Sequence, residues 1–322
     1  MAKETIHIAC NIDTSYVKYC IVMLTSLFEN NRNVSFHIHV IAGELSAEAR
    51  SLLCDWVEKH YSQTLTIYEA GEDLLKGCMI YGDSHISLAT YYRIFLETIL
   101  PQNLQKVIYL DCDLVVNGSI LDFWNTDIKE VAVGCIEDMW SGKPDNYTRL
   151  HYNASFSYFN AGVLLVNLDY WRKIGFQQKA VNYISQHVNE LIFNDQDVLN
   201  ALLYDCKSFL PFRYNVQDGF LRRKRRIRPE SIAALDQELL HPVIIHYTGG
   251  KKPWQYKSQH PYKGLYFHYL DLTPWKGERP VVPFSYKMKR LVDHSLYFLR
   301  LAKPKSVSYT HLRAHETGAY LV

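Results

Sequence analysis

Long apolar runs, paired cysteines and a strong charge imbalance are all missing from this chain of 322 residues. No apolar run approaches the roughly 20 residues of a membrane-spanning helix, so we expect no segment that crosses a bilayer. The seven cysteines are scattered without a Cys-x-x-Cys pair, which predicts reduced thiols rather than disulfides or a zinc site. The net charge is only +2, which gives no general electrostatic reason to expect a nucleic-acid partner.

The amino-terminal residues also lack the pattern of a signal peptide, because Met-Ala-Lys-Glu-Thr leads directly into a predicted strand. We therefore expect a cytoplasmic protein, either free or attached peripherally to the inner face of the cytoplasmic membrane. The composition, with 48% hydrophobic residues and 24 tyrosines, is that of a globular protein long enough to bury a sizeable core.

Strands and helices alternate along the amino-terminal part of the chain. Hydrophobic periodicity predicts strands over 5–10, 34–42 and 65–68, and helices over 16–28 and 46–60. Thr14 or Ser15 is the expected cap of the first helix. This order is typical of an α/β fold with a mainly parallel, twisted central sheet flanked by helices, in which ligands bind beyond the carboxyl ends of the strands.

Residues 107–116 form an apolar run that is interrupted by two carboxylates, Asp111 and Asp113. Burying a carboxylate is unfavourable unless it is paired or bound to a metal. A predicted strand that carries two aspartates at its carboxyl end therefore indicates an oxygen-ligand site for a divalent cation.

Other polar residues follow predicted strands. Asn11 and Asp13 lie after the first strand, where a nucleotide would bind, although Asp13 also suits a simple turn. Asn160 opens a buried strand whose small neighbours allow a close approach to a ligand. Arg93, within a predicted helix over 87–100, is either a solvated or ion-paired residue on the helix face or an anion contact.

Asp195, Gln196 and Asp197 open a predicted helix over 198–204, where acidic residues serve equally as caps or as site residues. His246 ends a strand over 243–245 and is followed by Gly249, Gly250 and Lys252, a pattern that offers a metal ligand and a cationic phosphate-binding loop. Two carboxylates and an imidazole suit Mn²⁺ better than Mg²⁺. Together these residues predict transfer of a group from a nucleoside diphosphate.

The chain closely resembles the family 8 glycosyltransferases, a retaining group that includes bacterial lipopolysaccharide galactosyl- and glucosyltransferases and, more distantly, glycogenin. The resemblance extends from about Ile6 to Trp254, with the motifs in the family's order. They are Asp13 with Tyr16, the segment 87–95 with Arg93, Leu110-Asp111-Cys112-Asp113, Phe159-Asn160-Ala161-Gly162-Val163, Asn194-Asp195-Gln196-Asp197, and His246-Tyr247-x-Gly249-x-x-Lys252-Pro253-Trp254.

The resemblance implies a GT-A type nucleotide-sugar-binding fold over residues 1–280. It implies that Asp111, Asp113 and His246 bind Mn²⁺, or Mg²⁺ in its place. Asn11 and Asp13 would contact uracil and ribose, Arg93 and Asn160 the donor, Gly249 and Lys252 the diphosphate, Asp195 the sugar hydroxyls and Gln196 the anomeric carbon. The family usually has Asp-Asp-Asn-Tyr where this chain has Asp13-Thr14-Ser15-Tyr16, so Thr14 and Ser15 depart from the nucleoside-binding pattern.

The implied reaction moves glucose or galactose from UDP-glucose or UDP-galactose to a saccharide or glycolipid acceptor, such as lipopolysaccharide core, with retained configuration. A front-side mechanism is favoured over a covalent intermediate because Gln196 is a poor nucleophile. Two alternatives remain at this level. Residues 111–115 also match the Asp-x-Asp-x-Val motif of haloacid-dehalogenase-type phosphatases, with Asp111 as nucleophile, and a non-catalytic sugar-nucleotide-binding protein would keep the same motifs.

The remaining segments are basic or foreign in character. Six basic residues between 221 and 228 predict a solvated loop or a contact to an anionic acceptor. Residues 281–305 interleave aromatic and basic residues, which suits either peripheral contact with an anionic membrane or a helix packed on the domain. Residues 306–322 have no periodicity and suggest vector or adapter sequence, a hypothesis that mass spectrometry of the natural protein would test.

Overall fold

The computed structural model of the protein describes residues 5–71, 75, 88–222, 224–286, 288 and 292. Within these residues two β-sheets are surrounded by helices. The strands are β1 Thr5–Ile12, β2 Ser35–Ala42, β3 Thr64–Glu69, β4 Lys106–Leu110, β5 Leu114–Val116, β6 Val133–Glu137, β7 Phe159–Asn167, β8 Lys207–Phe209, β9 Val216–Gln217 and β10 Ile244–His246. The α-helices are α1 Val17–Asn30, α2 Ala47–Cys54, α3 Leu96–Ile99, α4 Leu121–Trp124, α5 Pro144–Arg149, α6 Leu168–Ile174, α7 Phe176–His187, α8 Asp195–Leu203, α9 Ile232–Glu238 and α10 Lys263–Leu270.

The larger sheet has the strand order β3-β2-β1-β4-β7-β6-β8. Every neighbouring pair is parallel except the two pairs that contain β7, which runs antiparallel to β4 and β6. The prediction of a mainly parallel sheet is therefore confirmed. Residues 138–158, which include α5, connect β6 to β7, and β7 then runs back between β4 and β6.

Two apolar layers cover the larger sheet. Ile8 and Ile38 point into the layer that contains α1, and Val107 and Leu164 point into the layer that contains α7 and α8. Strands that are buried on both faces have nearly continuous apolar sequences, which is why β4 and β7 are so apolar. The sheet thereby becomes a rigid platform for the polar residues at its strand ends.

The smaller sheet has the order β5-β10-β9 and begins where the larger sheet ends. The chain leaves β4 at Leu110, turns through Asp111 and Asp113, and enters β5 at Leu114. In this sheet β10 pairs antiparallel with β5 and parallel with β9, so that His246 lies beside Leu114. The run 107–116 is therefore two strands in two sheets, and the aspartates occupy the junction.

Several local predictions were wrong. Neither Thr14 nor Ser15 caps α1: Asp13 caps the 3-10 turn Thr14–Tyr16 that leads into α1, and its side chain accepts a hydrogen bond from Tyr16 N. Residues 88–95 form a 3-10 helix that continues into α3, rather than one α-helix over 87–100. From the sequence alone, residues 169–187 would be predicted as one helical segment, but they form two helices, because Gly175 adopts the left-handed conformation between α6 and α7.

Residues 140–157, whose polar and aromatic sequence with a glycine and a proline predicts an irregular excursion, lie between β6 and β7. They contain α5, and their aromatic side chains form a small core of their own with Tyr158. This core includes Tyr147, Leu150 and Tyr152, which are all buried. The excursion is therefore a packed unit, held beside the strand that carries Asn160.

In the described part of the chain, no helix combines the length and the apolar character needed to cross a membrane. Six cysteines in this part are free thiols, whereas Cys78 lies outside the described residues. Most of 281–305 and all of 306–322 also lie outside them, so the predictions for these segments remain predictions.

Candidate active site

The aspartate turn between the two sheets is fixed by backbone hydrogen bonds on both sides. Asp111 N donates to Gly162 O at 2.8 Å, and Tyr247 N donates to Asp113 O at 2.9 Å. The two aspartate side chains are partly exposed, whereas Cys112 between them is buried in the apolar core. The turn therefore presents two carboxylates to one side and a thiol to the other.

His246 reaches the same point from β10. Its Nε2 atom lies 3.1 Å from Asp113 Oδ1 and 3.7 Å from Asp111 Oδ2, and the ligand atoms of the three residues all lie within 4.8 Å of one another. Its Nδ1 atom lies 3.0 Å from Asn215 Oδ1. Two carboxylate oxygens and one imidazole nitrogen at this spacing form a donor set that fits Mn²⁺.

Gly162 explains how the cluster can be so close to β7. A methyl group on Gly162 would lie less than 3.0 Å from both the His246 ring and the Asp111 carboxylate. The absence of a side chain thus makes room for two of the three ligand residues.

Lys252 supplies positive charge beside the aspartates. Its Nζ atom lies 2.5 Å from Asp113 Oδ2 and 2.6 Å from Tyr247 O. Burial acts to raise the pKa of Asp113, but the opposing charges of Lys252 and His246 hold that pKa below its ordinary value. Asp113 is therefore an ionised carboxylate at neutral pH.

Arg93 joins the two acidic motifs. It is only 7% exposed, and it forms ion pairs of 2.9 Å with both Asp111 Oδ1 and Asp195 Oδ2. It also donates to Ala161 O at 2.7 Å, and its guanidinium lies 4.6 Å from the centre of the Tyr109 ring. Arg93 is therefore ion-paired, and it lies within the candidate site.

Gln196 is oriented by four partners. Its Oε1 accepts from Asn160 Nδ2 at 3.1 Å and from Ala161 N at 3.0 Å. Its Nε2 donates to Tyr158 Oη at 3.1 Å and to Asp138 Oδ2 at 3.4 Å. The amide is therefore held in one orientation next to Asn160, at the start of β7.

The two aspartates that open α8 have different environments. Asp195 accepts a hydrogen bond from the Thr90 hydroxyl and pairs with Arg93, and burial raises its pKa to about 6 against the effect of Arg93. Asp197 is completely buried and forms two contacts with Arg149, of 2.6 and 3.0 Å. Its Oδ2 also accepts from Phe193 N at 2.7 Å, so Asp197 stabilises the beginning of the helix.

Asn11 and Asp13 lie at the carboxyl end of β1, as predicted. The Asn11 Oδ1 atom accepts a hydrogen bond from the Tyr109 hydroxyl, which in turn lies 3.1 Å from Asp111 Oδ1. This contact connects the end of β1 to the aspartate turn. Asp13 caps the first helical turn, which agrees with the simpler prediction that it is a turn residue.

The basic segment after Leu221 is less free than its sequence suggested. Arg222 pairs with Asp218, Arg225 with Asp236, and Arg228 with Glu137. The segment is therefore held by ion pairs but remains partly solvated, because Lys224 and Arg226 are exposed. Asp218 also lies beneath Gly249, where an added methyl group would come to 3.0 Å from its carboxylate.

Two residues of the site were missed by the sequence analysis. Asp138 directly follows β6 and contacts Asn160 and Gln196, so it carries the signal of a carboxylate at a strand end that identified Asp111. Burial raises its pKa to about 6. Asn215 lies between two short elements and has no such signal.

Comparison with known proteins agrees with this geometry. The model of the glycosyl transferase family 8 matches residues 7–258. General stress protein A of Bacillus subtilis is 30% identical over 279 residues, which cover 84% of this chain and 95% of that protein. Lipopolysaccharide 1,2-glucosyltransferase of Escherichia coli K12 is 26% identical over 300 residues, which cover 91% of this chain and 87% of that protein.

Lipopolysaccharide 1,3-galactosyltransferase of Salmonella typhimurium is 23% identical, over 84% of this chain and 80% of that protein. Among solved structures, the galactosyltransferase LgtC in complex with donor and acceptor sugar analogues has a TM-score of 0.76 at 22% identity. The similarity covers 88% of this chain and 100% of that one, which confirms the predicted GT-A fold. The family match includes every motif of the site, and the chain is a member of glycosyl transferase family 8.

Proposed function

We propose that the protein transfers glucose or galactose from a UDP-sugar to a saccharide acceptor, with retention of the anomeric configuration. The observation that carries the proposal is the convergence of Asp111, Asp113, His246 and Lys252 at one junction between the sheets. Relatives that are named lipopolysaccharide glucosyl- and galactosyltransferases support a lipopolysaccharide or other cell-surface glycan as the acceptor.

The donor set fits Mn²⁺, and less well Mg²⁺, because one of the three ligands is an imidazole. Asp111, Asp113 and His246 would hold the ion. When bound, it would supply positive charge that stabilises the UDP leaving group. Lys252 and the backbone at Gly249 would bind the diphosphate, so Lys252 would exchange part of its contact with Asp113 for phosphate oxygens.

The other residues position the donor. Asn11 and Asp13 would contact the uracil and ribose, because both lie at the carboxyl end of β1 beside the aspartate turn. Arg93 and Asn160 would contact the donor sugar from the β7 side. Asp195 would accept hydrogen bonds from sugar hydroxyls, with Arg93 and Thr90 fixing its carboxylate.

Gln196 would face the anomeric carbon, and its hydrogen bonds favour a front-side reaction. The amide oxygen already accepts two hydrogen bonds, from Asn160 and Ala161, which reduces its ability to attack carbon. The same oxygen can stabilise the positive charge that develops on the sugar. A covalent intermediate on this residue is therefore disfavoured.

The test is hydrolysis of a panel of UDP-sugars with and without Mn²⁺. We expect Mn²⁺-dependent release of UDP from UDP-glucose or UDP-galactose, and loss of that activity in Asp113→Ala. Asp55→Ala, which removes an exposed carboxylate on the surface, is the matched control and should keep full activity. Undiminished hydrolysis by Asp113→Ala would refute the metal assignment.

Assays of phosphatase activity and of UDP-sugar binding separate the alternative functions. A haloacid-dehalogenase-type phosphatase would turn over p-nitrophenyl phosphate and lose that activity in Asp111→Asn, whereas the family match argues against such an enzyme. A non-catalytic binding protein would bind UDP-sugars without releasing UDP.

Peripheral contact of residues 281–305 with anionic lipid is tested by vesicle sedimentation. Deletion of residues 283–322 should release the protein from the vesicles but spare donor hydrolysis.

A further inference from the structure

Three histidines lie together on one face of the larger sheet, away from the aspartate turn. His7 of β1 is the register partner of His37 of β2, and His39 follows two positions later on the same face. One ring nitrogen from each lies within 4.8 Å of the others. His7 is four strand residues from Asn11, or about 13 Å along β1, so this cluster is separate from the candidate active site.

Two of the rings are held by neighbouring side chains. The rings also stack, with 4.2 Å between the centres of His37 and His39 and 5.2 Å between those of His7 and His39, so they must turn before all three nitrogens can face one ion. His39 Nδ1 lies 2.9 Å from the Tyr68 hydroxyl, and His37 Nε2 lies 2.8 Å from Thr66 Oγ1. Metal-bound histidines commonly use one ring nitrogen for the metal and the other for such a hydrogen bond, which fixes the tautomer. His39 Nε2 is left facing His7 Nδ1 at 2.9 Å.

The protonation of the cluster also favours ligation. Burial lowers the pKa of all three imidazoles from the ordinary value of 6.5, to about 3 for His39. All three are therefore neutral at pH 7, and a neutral imidazole is the form that binds a metal. His7 and His37 are only partly buried, which leaves the cluster accessible to an ion and to a water molecule.

We propose that His7, His37 and His39 form a second metal site, which binds Zn²⁺ or a similar first-row divalent ion with a water in the fourth position. An all-imidazole donor set favours Zn²⁺, whereas the aspartate-rich set favours Mn²⁺, so the two sites select different ions. The ion would link β1 to β2 and take the place of the proton between His7 Nδ1 and His39 Nε2, which would move to the other nitrogen of its own ring.

The experiment titrates the untagged, metal-free full chain with Zn²⁺ by calorimetry, in an Asp111→Asn/Asp113→Asn background that disables the active-site cluster. We expect His7→Ala and His37→Ala each to lose one equivalent of Zn²⁺ that the background protein binds. Tyr68→Phe should weaken the same equivalent about 10- to 100-fold, because it removes only the partner of His39. A merely structural tyrosine would not change Zn²⁺ affinity.

The matched control is His151→Ala/His187→Ala, because these exposed or partly exposed residues form another histidine-containing group with Glu190. This variant should still bind the equivalent of Zn²⁺ that His7→Ala and His37→Ala lose. Circular dichroism verifies that each variant is folded, and Zn²⁺ should raise the melting temperature of the background protein but not of His37→Ala. The proposal is overturned if His7→Ala and His37→Ala, while folded, bind as much Zn²⁺ as the background protein. Neither result depends on glycosyl transfer.

Discussion

His246 Nδ1 lies 3.0 Å from Asn215 Oδ1, so the amide oxygen of Asn215 accepts the Nδ1 proton. This contact leaves Nε2 directed at the aspartate pair, where it would bind a metal after giving up the proton that it shares with Asp113. Asn215 also donates from Nδ2 to Asn160 Oδ1 at 2.9 Å, which links the imidazole to the residues around Gln196. A buried asparagine with no conspicuous sequence context therefore orients two parts of the site.

Replacing Asn215 by leucine should weaken Mn²⁺ activation of donor hydrolysis about 10- to 100-fold, because the imidazole loses the acceptor that fixes its tautomer. Asn215→Asp is the conservative variant: it keeps an acceptor for His246 but loses the donor to Asn160. It should preserve Mn²⁺ affinity and reduce the turnover rate instead. The measurement is the Mn²⁺ dependence of UDP release, and equal Mn²⁺ affinity in the leucine variant would contradict the role of Asn215.

Gly162→Ala should abolish metal-dependent activity without unfolding the protein. The added methyl group would lie within 3.0 Å of the His246 ring and the Asp111 carboxylate, so both ligands must move. Gly118→Ala is a suitable control, because its methyl group would meet Val243 at an ordinary 3.5 Å. In a calorimetric titration, Gly118→Ala should bind Mn²⁺ and Gly162→Ala should not. Normal Mn²⁺ binding by Gly162→Ala would show that the metal ligands lie elsewhere.

Asp138 should make stability depend on pH. Burial raises its pKa from 3.8 to about 6, so the folded state binds this proton more tightly than the unfolded state. Its stabilising contribution is complete below pH 3.8 and is lost as the pH rises through about 6. The lost contribution is about 3 kcal/mol.

Asn cannot ionise, so Asp138→Asn removes this dependence. The free energy of unfolding of the wild type, minus that of the variant, should therefore fall by about 3 kcal/mol between about pH 3 and pH 7. Urea denaturation across this range measures the difference, and any loss of hydrogen bonds in the variant adds an offset that does not change with pH. A constant difference would show that Asp138 has an ordinary pKa.

Arg149→Met should destabilise the protein by about 3–5 kcal/mol, because it leaves the fully buried Asp197 carboxylate without its charged partner. The exposed pair of Lys59 and Asp55 provides the control, since Lys59→Met should have little effect on unfolding. Denaturant unfolding of both variants tests the contrast. A small change in the free energy of unfolding in Arg149→Met would mean that Asp197 does not depend on Arg149 for its place in the core.

Much of the candidate site follows from local sequence signals. Asp111, Asp113 and His246 each adjoin an apolar run, and polar residues at strand ends are typical of ligand sites in α/β proteins. Asp138 has the same signal after β6 and could have been found by the same reasoning. The reversal of β7 and the division of 107–116 between two sheets could not, because an apolar run has the same pattern in a parallel and in an antiparallel strand.

The α/β architecture, the family and most of the strand-end residues could be predicted from the sequence, since hydrophobic periodicity and motif order are local properties of the chain. Only the tertiary structure distinguished Asp195, which pairs with Arg93, from Asp197, which pairs with Arg149. It alone brought Asn215 to His246 and His7 to His37 and His39. These pairings depend on how elements that are distant in sequence pack together. The hydrophobic periodicity of a segment does not indicate which other segment it packs against.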